Sequence, residues 1–216
     1  MNPVADFAAF FRNGGPFMYA ILATGLLVLA LTLERFWVIQ RAAQLNSAKL
    51  GKDLLRLVRG GDKRGAVALC QKVEAPVTRV AKAILQREGT GNPAGEEALQ
   101  AAADGAATVV LPPLGRRLSY LNMLANTATL LGLLGTIFGL TTAFNAVDTA
   151  DASQRSAFLA AGISQALNTT AFGLIVAVPA LLVHGFLVSK VEGIVDSVDA
   201  LSVRLISLLT GGAEEL

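Results

Sequence analysis

Asn122, Thr129 and Thr136 recur every seven residues within 118–147, thirty consecutive residues that carry no charge. At about 100° per residue the three fall on one face of a helix, with Gly132 and Ala143 beside them. A second apolar stretch, 156–189, holds Gln165 and Thr169 on one face and Thr170 one step around, and its only ionisable residue is His184. Hydroxyls and amides donate to or solvate a carboxylate without titrating themselves. Neither stretch contains Asp, Glu, Lys or Arg, although ion-coupled proteins usually keep such a group at membrane depth. Two roles are open. The polar residues serve an ion path whose carboxylate comes from another chain. Alternatively, they satisfy carbonyls three or four residues back, while Gly132, Gly135 and Gly139 let helices pack closely.

These residues must be positioned by helices in a membrane. The chain has 216 residues, 53% hydrophobic and 16% charged, with a mean hydropathy of +0.56. Soluble domains carry about 25% charged residues. A bilayer core requires about 20 apolar residues per helix. Three windows reach that length, predicting spans at 16–39, 118–147 and 159–189, with Phe36 and Trp37 as an interfacial aromatic pair. Thirteen of the eighteen Lys and Arg fall between Arg41 and Arg117. The positive-inside rule makes that segment cytoplasmic. The N-terminus (1–15) and the short 148–158 loop then lie outside, and Thr141 and Thr142 are helix-end or entry-path groups near the outer side. The first span lacks a basic n-region and a cleavage motif and reads as a retained anchor. Glu34 and Arg35, at its inner end, are placed to pair or to snorkel.

Acids interleave the bases of 40–117, the pattern of a mixed-charge surface and not of a nucleic-acid footprint. One cysteine and one histidine exclude a disulfide framework and a His cluster. No nucleophile–base pair or metal set is visible, which argues against an enzyme, and no cofactor is expected. Helices are predicted at Leu50–Val58, broken by the "RGGD" that follows, at Ala66–Val73, and from Pro76 through "APVTRVAKAILQRE". Another starts with Asn92 as N-cap and Pro93 at its first position. Pro112 and Pro113 should interrupt the approach to the second span. From 190 to 216 a stripe of Val191, Ile194, Val195, Val198, Leu201, Leu205 and Leu208 predicts an extension of the third helix. It would pack on the cytoplasmic segment or a neighbouring subunit. The fold class is therefore an all-α membrane protein of three transmembrane helices with a helical cytoplasmic domain.

The stretches "LLGLLGTIFGLTTAF" and "GISQALNTTAFGLIVAVPALLV" resemble the ExbB/TolQ/MotA family of ion-driven motor subunits of bacterial inner membranes. The three-span layout is similar to its ExbB/TolQ branch. The resemblance implies a homopentamer whose second and third helices line a pore around a dimeric, single-span ExbD/TolR/MotB-like partner. That partner would supply a membrane Asp, neutralised by protons (or sodium) to drive rotation. The threonine of the family's "GLLGT" falls on Thr136, that of "AL-x-x-TA-x-GL" on Thr170 beside Gly173, and the "AIPA" proline on Pro179. Asn122, Thr129, Gln165 and Thr169 join them as pore-lining candidates. The family's frequent Glu in "GIAEAL" is Gln165 here, which argues against the TonB- and Tol-coupled branches and leaves room for gliding-type motility, with TonB- or Tol-type energisation kept as an alternative output. The alternative is a non-conducting membrane scaffold.

Overall fold

Glycines and prolines set where the helices stop. A computed structural model describes residues 3–45, 48–89 and 95–211, so the predicted cap at Asn92 and Pro93 lies outside the described residues. Every regular element described is α-helical: α1 (Pro3–Asn13), α2 (Phe17–Leu45), α3 (Ala48–Arg59), α4 (Lys63–Lys72), α5 (Pro76–Glu88), α6 (Glu96–Val110), α7 (Pro112–Gly115), α8 (Leu118–Thr149) and α9 (Arg155–Thr210). Stretches containing α2, α8 and α9 are long and apolar enough to cross a membrane, with best-window mean hydropathies of 1.9, 1.7 and 2.3. All three helices outrun their predicted windows. The third span and the C-terminal segment form one continuous helix, with Pro179 inside it. Because Pro179 has no N–H, it cannot bond the Ile175 carbonyl. Thr141 and Thr142 are not helix-end residues, since α8 continues to Thr149.

The chain divides into two units. One comprises residues 1–34 and 117–185, and holds α1, α8 and the apolar parts of α2 and α9. Its small aromatic core places Met18 and Ile21 against Phe172, with Phe10 and Phe11 packed on it. The rings of Phe11 and Phe172 meet edge to face at 5.8 Å, the arrangement their quadrupoles favour.

The other unit, 35–116 and 186–216, is a helical bundle with a conventional core. Leu54 of α3, Val80 and Ile84 of α5, Leu99 of α6, and Val198 and Leu205 of α9 are fully or almost fully buried in one cluster. The predicted α9 stripe thus packs on the segment between the first two spans of its own chain. Glu192, Asp196 and Asp199 stay exposed. Local chemistry sets the boundaries. Gly61 adopts φ +78° after α3, and Asp62 caps α4 by accepting from Gly65 N–H at 2.8 Å. Pro112 opens the short α7, separating α6 from α8. Arg35, buried in this unit, donates from Nη1 to the carbonyls of Pro113 (3.3 Å) and Arg116 (3.0 Å).

Thr78 is fully buried at the start of α5. Its hydroxyl accepts from Ala75 N–H at 3.0 Å and donates to Ala75 O at 2.9 Å. Thr78→Val removes this hydroxyl from a buried turn and leaves Ala75 N–H with Val73 O alone, at 3.0 Å, so thermal unfolding of this unit should show a loss of about 0.5–1.5 kcal/mol, with Thr78→Ser close to wild type. Cys70 supplies a second check. Burial pushes its thiol from 9.0 up to about 11, partly opposed by Lys82. Because the unfolded thiol ionises first, the unit keeps this contribution below about 9 and loses it as pH rises through about 11. Melting temperatures between pH 8 and 11 should fall less steeply in Cys70→Ala.

Candidate functional site

Helices α8 and α9 approach along small residues. Gly132, Gly135 and Gly139 are buried, together with Ala125, Ala128 and Ala143. A methyl group at Gly135 would collide with the Thr169 side chain, and one at Gly173 would sit 2.7 Å from Ala128 O. Close backbone approach is how membrane helices gain dispersion contacts when lipid already surrounds them with hydrocarbon. Thr170 seals the contact, its hydroxyl donating across to Gly132 O at 3.0 Å.

Thr169 packs on Gly135 of the same contact, and its hydroxyl reaches beyond it. It is fully buried, and its hydroxyl lies 2.7 Å from Gly14 O and 2.8 Å from Gln165 O. Gly14 and Gly15 form the turn between α1 and α2, and Gly15 adopts φ +74°. A side chain at Gly15 would also collide with the Gln165 amide. Gln165 and Thr169, predicted to share a face, do so, and that face holds the N-terminal turn.

The α8 candidates lie apart from these two. Asn122 and Thr129 are exposed and Thr136 is half-buried. Counting about 100° per residue, their stripe is turned roughly 60° from the glycine–alanine face that meets α9. The two polar stripes therefore do not face each other within one chain. The small-residue ridge takes the contact because it alone lets the backbones close. Thr136 donates to Leu133 O at 2.6 Å and Thr129 to Ala125 O at 3.3 Å, while Thr127 and Thr142 bond Met123 O and Phe138 O in the same way. These local bonds satisfy the hydroxyl hydrogens and leave acceptor lone pairs on the exposed face. Asn122 Oδ1 accepts from Asn126 Nδ2 at 3.4 Å.

Two features were not predicted from the sequence. The Thr169–Gly14 bond joins residues 155 apart in the chain, and only the Gly-Gly pair hinted at a turn there. At the other end of this unit Glu34 pairs with Arg117, the residue before α8, whose φ is +69°. The sequence pointed to pairing for Glu34 without naming the partner.

Comparison with known proteins bears on what these helices do. A family model described as the MotA/TolQ/ExbB proton channel family matches residues 72–200. The chain is 33% identical over 172 residues to the putative biopolymer transport protein ExbB-like 3 of Synechocystis, covering 78% of this chain and 79% of that one. It is 29% identical over 221 residues to the biopolymer transport protein ExbB of Neisseria gonorrhoeae, covering 91% and 96%. A putative ExbB homologue of Methanothermobacter thermautotrophicus is 23% identical over 203 residues, covering 92% and 70%. With its three long apolar helices and a glycine-packed contact between the uncharged stretches of α8 and α9, the chain belongs to the MotA/TolQ/ExbB proton channel family.

Proposed function

We propose that this protein is the pore-forming subunit of a proton-driven motor in a bacterial inner membrane. In this proposal it assembles as a homopentamer around a dimeric ExbD/TolR/MotB-like partner. The output is biopolymer transport of the kind that its ExbB-named relatives carry in their names. The observation that carries the proposal is the stripe Asn122, Thr129 and Thr136. Asn122 and Thr129 lie exposed and Thr136 half-buried on the uncharged stretch of α8, beside and not within the contact with α9. Such a face requires a polar occupant, because amides and hydroxyls facing lipid gain nothing. A partner's carboxylate is that occupant. Thr170 and Gln165, both half-buried, border the same path, and Thr169 acts on it through the turn it holds. Gly132, Gly135, Gly139 and Gly173 set the spacing of the helices, and Pro179 leaves a carbonyl free on α9.

The bonds of Thr127, Thr129, Thr136 and Thr142 to their own helix favour a second reading, a scaffold that binds partners without conducting. Mutation separates the two. Thr136→Val and Thr170→Val should each lower proton-driven output about ten-fold or more, the cost of removing one polar contact to a carboxylate. The single-span partner should still co-purify, and Thr136→Ser should recover most of the output. Unchanged output in both valine variants would refute the pore roles.

In this reading 40–117 and the C-terminus are cytoplasmic and 148–158 is periplasmic. In a Cys70→Ala background, a membrane-impermeant maleimide should label Ser153→Cys in intact spheroplasts. It should label Gln71→Cys only after permeabilisation, and the reverse pattern would invert the topology.

A further inference from the structure

Within the unit formed by 35–116 and 186–216, a cleft of about 650 Å³ opens between α2, the α4–α5 connection and the α6–α7 junction. Arg41, Lys72 and Arg79 line it, with Glu74 as the one acidic residue. Four formal charges therefore leave a net of +2 in a space the size of a small-molecule site. All four side chains are exposed to solvent. Among the described residues none of the three cations forms an ion pair, with Glu74 or with any other acid. Among the described residues, the net positive charge is thus gathered in the cleft without an ion pair to neutralise it. The remaining wall is apolar, with Val38 on one side and Val109 on the other.

Depth along α2 identifies what such a cleft meets. Trp37, 67% exposed, lies in the last turn of the apolar part of α2, after Glu34 and Arg35 and two residues before its end at Ile39, and the Arg41 guanidinium lies 5.7 Å from its ring. An exposed Trp followed one turn later by an Arg stacked on it marks the headgroup level of a bilayer. Val38, the first residue of the cleft wall on α2, is the next residue after Trp37. The cleft therefore begins where lipid phosphates lie, with apolar wall toward the hydrocarbon and cations on the water side.

We propose that this cleft binds the headgroup of an anionic phospholipid. Arg41 and Arg79 hold the phosphate, Lys72 adds a third positive charge, and an acyl chain lies along Val38 and Val109. Arg suits this role because its planar fork meets two phosphate oxygens at once, whereas Lys acts as a point charge. Glu74 sets a limit on the ligand: it repels a polyanionic headgroup and leaves room for a single phosphodiester with hydroxyls. A monoanionic lipid such as phosphatidylglycerol fits that balance best.

The test uses the full chain in detergent, exchanged into nanodiscs of phosphatidylcholine and then released for native mass spectrometry. The nanodiscs carry about 20 mol% phosphatidylglycerol, enough anionic lipid to give the bilayer a negative surface potential. Phosphatidylglycerol should be retained over phosphatidylcholine. Retention should fall about five-fold for Arg41→Gln and again for Arg79→Gln, following the scale of about 1 kcal/mol per basic residue at a membrane surface. Arg56→Gln with Arg59→Gln, exposed on α3 away from the cleft, serves as the charge control and should leave retention unchanged. An unchanged melting temperature shows that the cleft variants are folded; if one is not, Arg41→Lys and Arg79→Lys replace it, with a smaller drop expected. Equal retention of both lipids, or an equal loss in the α3 control, overturns the proposal. So does complete displacement of the lipid by inorganic phosphate at about 5 mM, a concentration that saturates a free-anion site of roughly millimolar affinity. A polyglutamate peptide that binds with the same Arg41 and Arg79 dependence, with no lipid preference, would assign the cleft to an acidic protein segment instead.

Discussion

In hydrocarbon, two helices gain little by burying leucine against leucine, because lipid tails offer the same contacts. What α8 and α9 gain comes from bringing backbones together, and only glycine and alanine permit it. A β-carbon at Gly173 would meet the Ala128 carbonyl at 2.7 Å, so the ridge carries the association. The other features of this unit follow from that contact. Thr170 can reach Gly132 O because the axes are close. Thr169 packs its side chain on Gly135 of α8, while its hydroxyl reaches the Gly14 carbonyl of the α1–α2 turn. Asn122 and Thr129 are left on the exposed side of α8. The position of the polar stripe is a by-product of where the small residues lie.

Much of this was legible in the sequence, and the limits have a physical cause. The membrane windows could be read because a run of about 20 uncharged apolar residues matches the thickness of a bilayer core. The "RGGD" break and the proline pair before the second span were readable because Gly and Pro act on φ locally, one freeing it and the other fixing it. The α9 stripe from Val191 to Leu208 showed a buried face, and Leu205 and Val198 are indeed fully or almost fully buried. Helical period, however, fixes which residues share a face on one helix and says nothing of which face meets which neighbour. That is why the period groups Thr136 with Asn122 and Thr129, while the glycines beside them decide the contact with α9. Nor does any local rule connect Thr169 to Gly14. Thr141 and Thr142, read as helix-end or entry-path groups, lie about two turns before the end of α8 at Thr149, because nothing between them stops the helix sooner.

The bonds that threonines make to their own helix look at first like the end of their chemistry. A hydroxyl has one hydrogen and two lone pairs, so a bond to Leu133 O uses the donor of Thr136 and leaves the acceptors. Toward an ionised carboxylate the hydrogen would have to leave Leu133 O; toward a protonated carboxyl the oxygen can accept without rearranging. Thr136 in its observed rotamer is therefore matched to the neutral form of the carboxyl supplied by the proposed partner. A change of rotamer matches it to the charged form.

That exchange has the right energetic scale for a motor. A hydrogen bond to a charged group contributes about 1.5–3 kcal/mol net, and an elementary charge moved through about 100 mV is worth about 2.3 kcal/mol. The two are comparable, so a single hydroxyl can hold a charge state long enough to define a step without holding it against the membrane potential. A fixed Lys or Arg at the same position would bind the carboxylate more strongly than one proton's worth of potential could release. An alanine would not distinguish its two states. On the proposed function, the absence of Asp, Glu, Lys and Arg from 118–147 is what would keep that interaction reversible: the titrating group would belong to the partner, and the neutral threonines of this chain would respond to it.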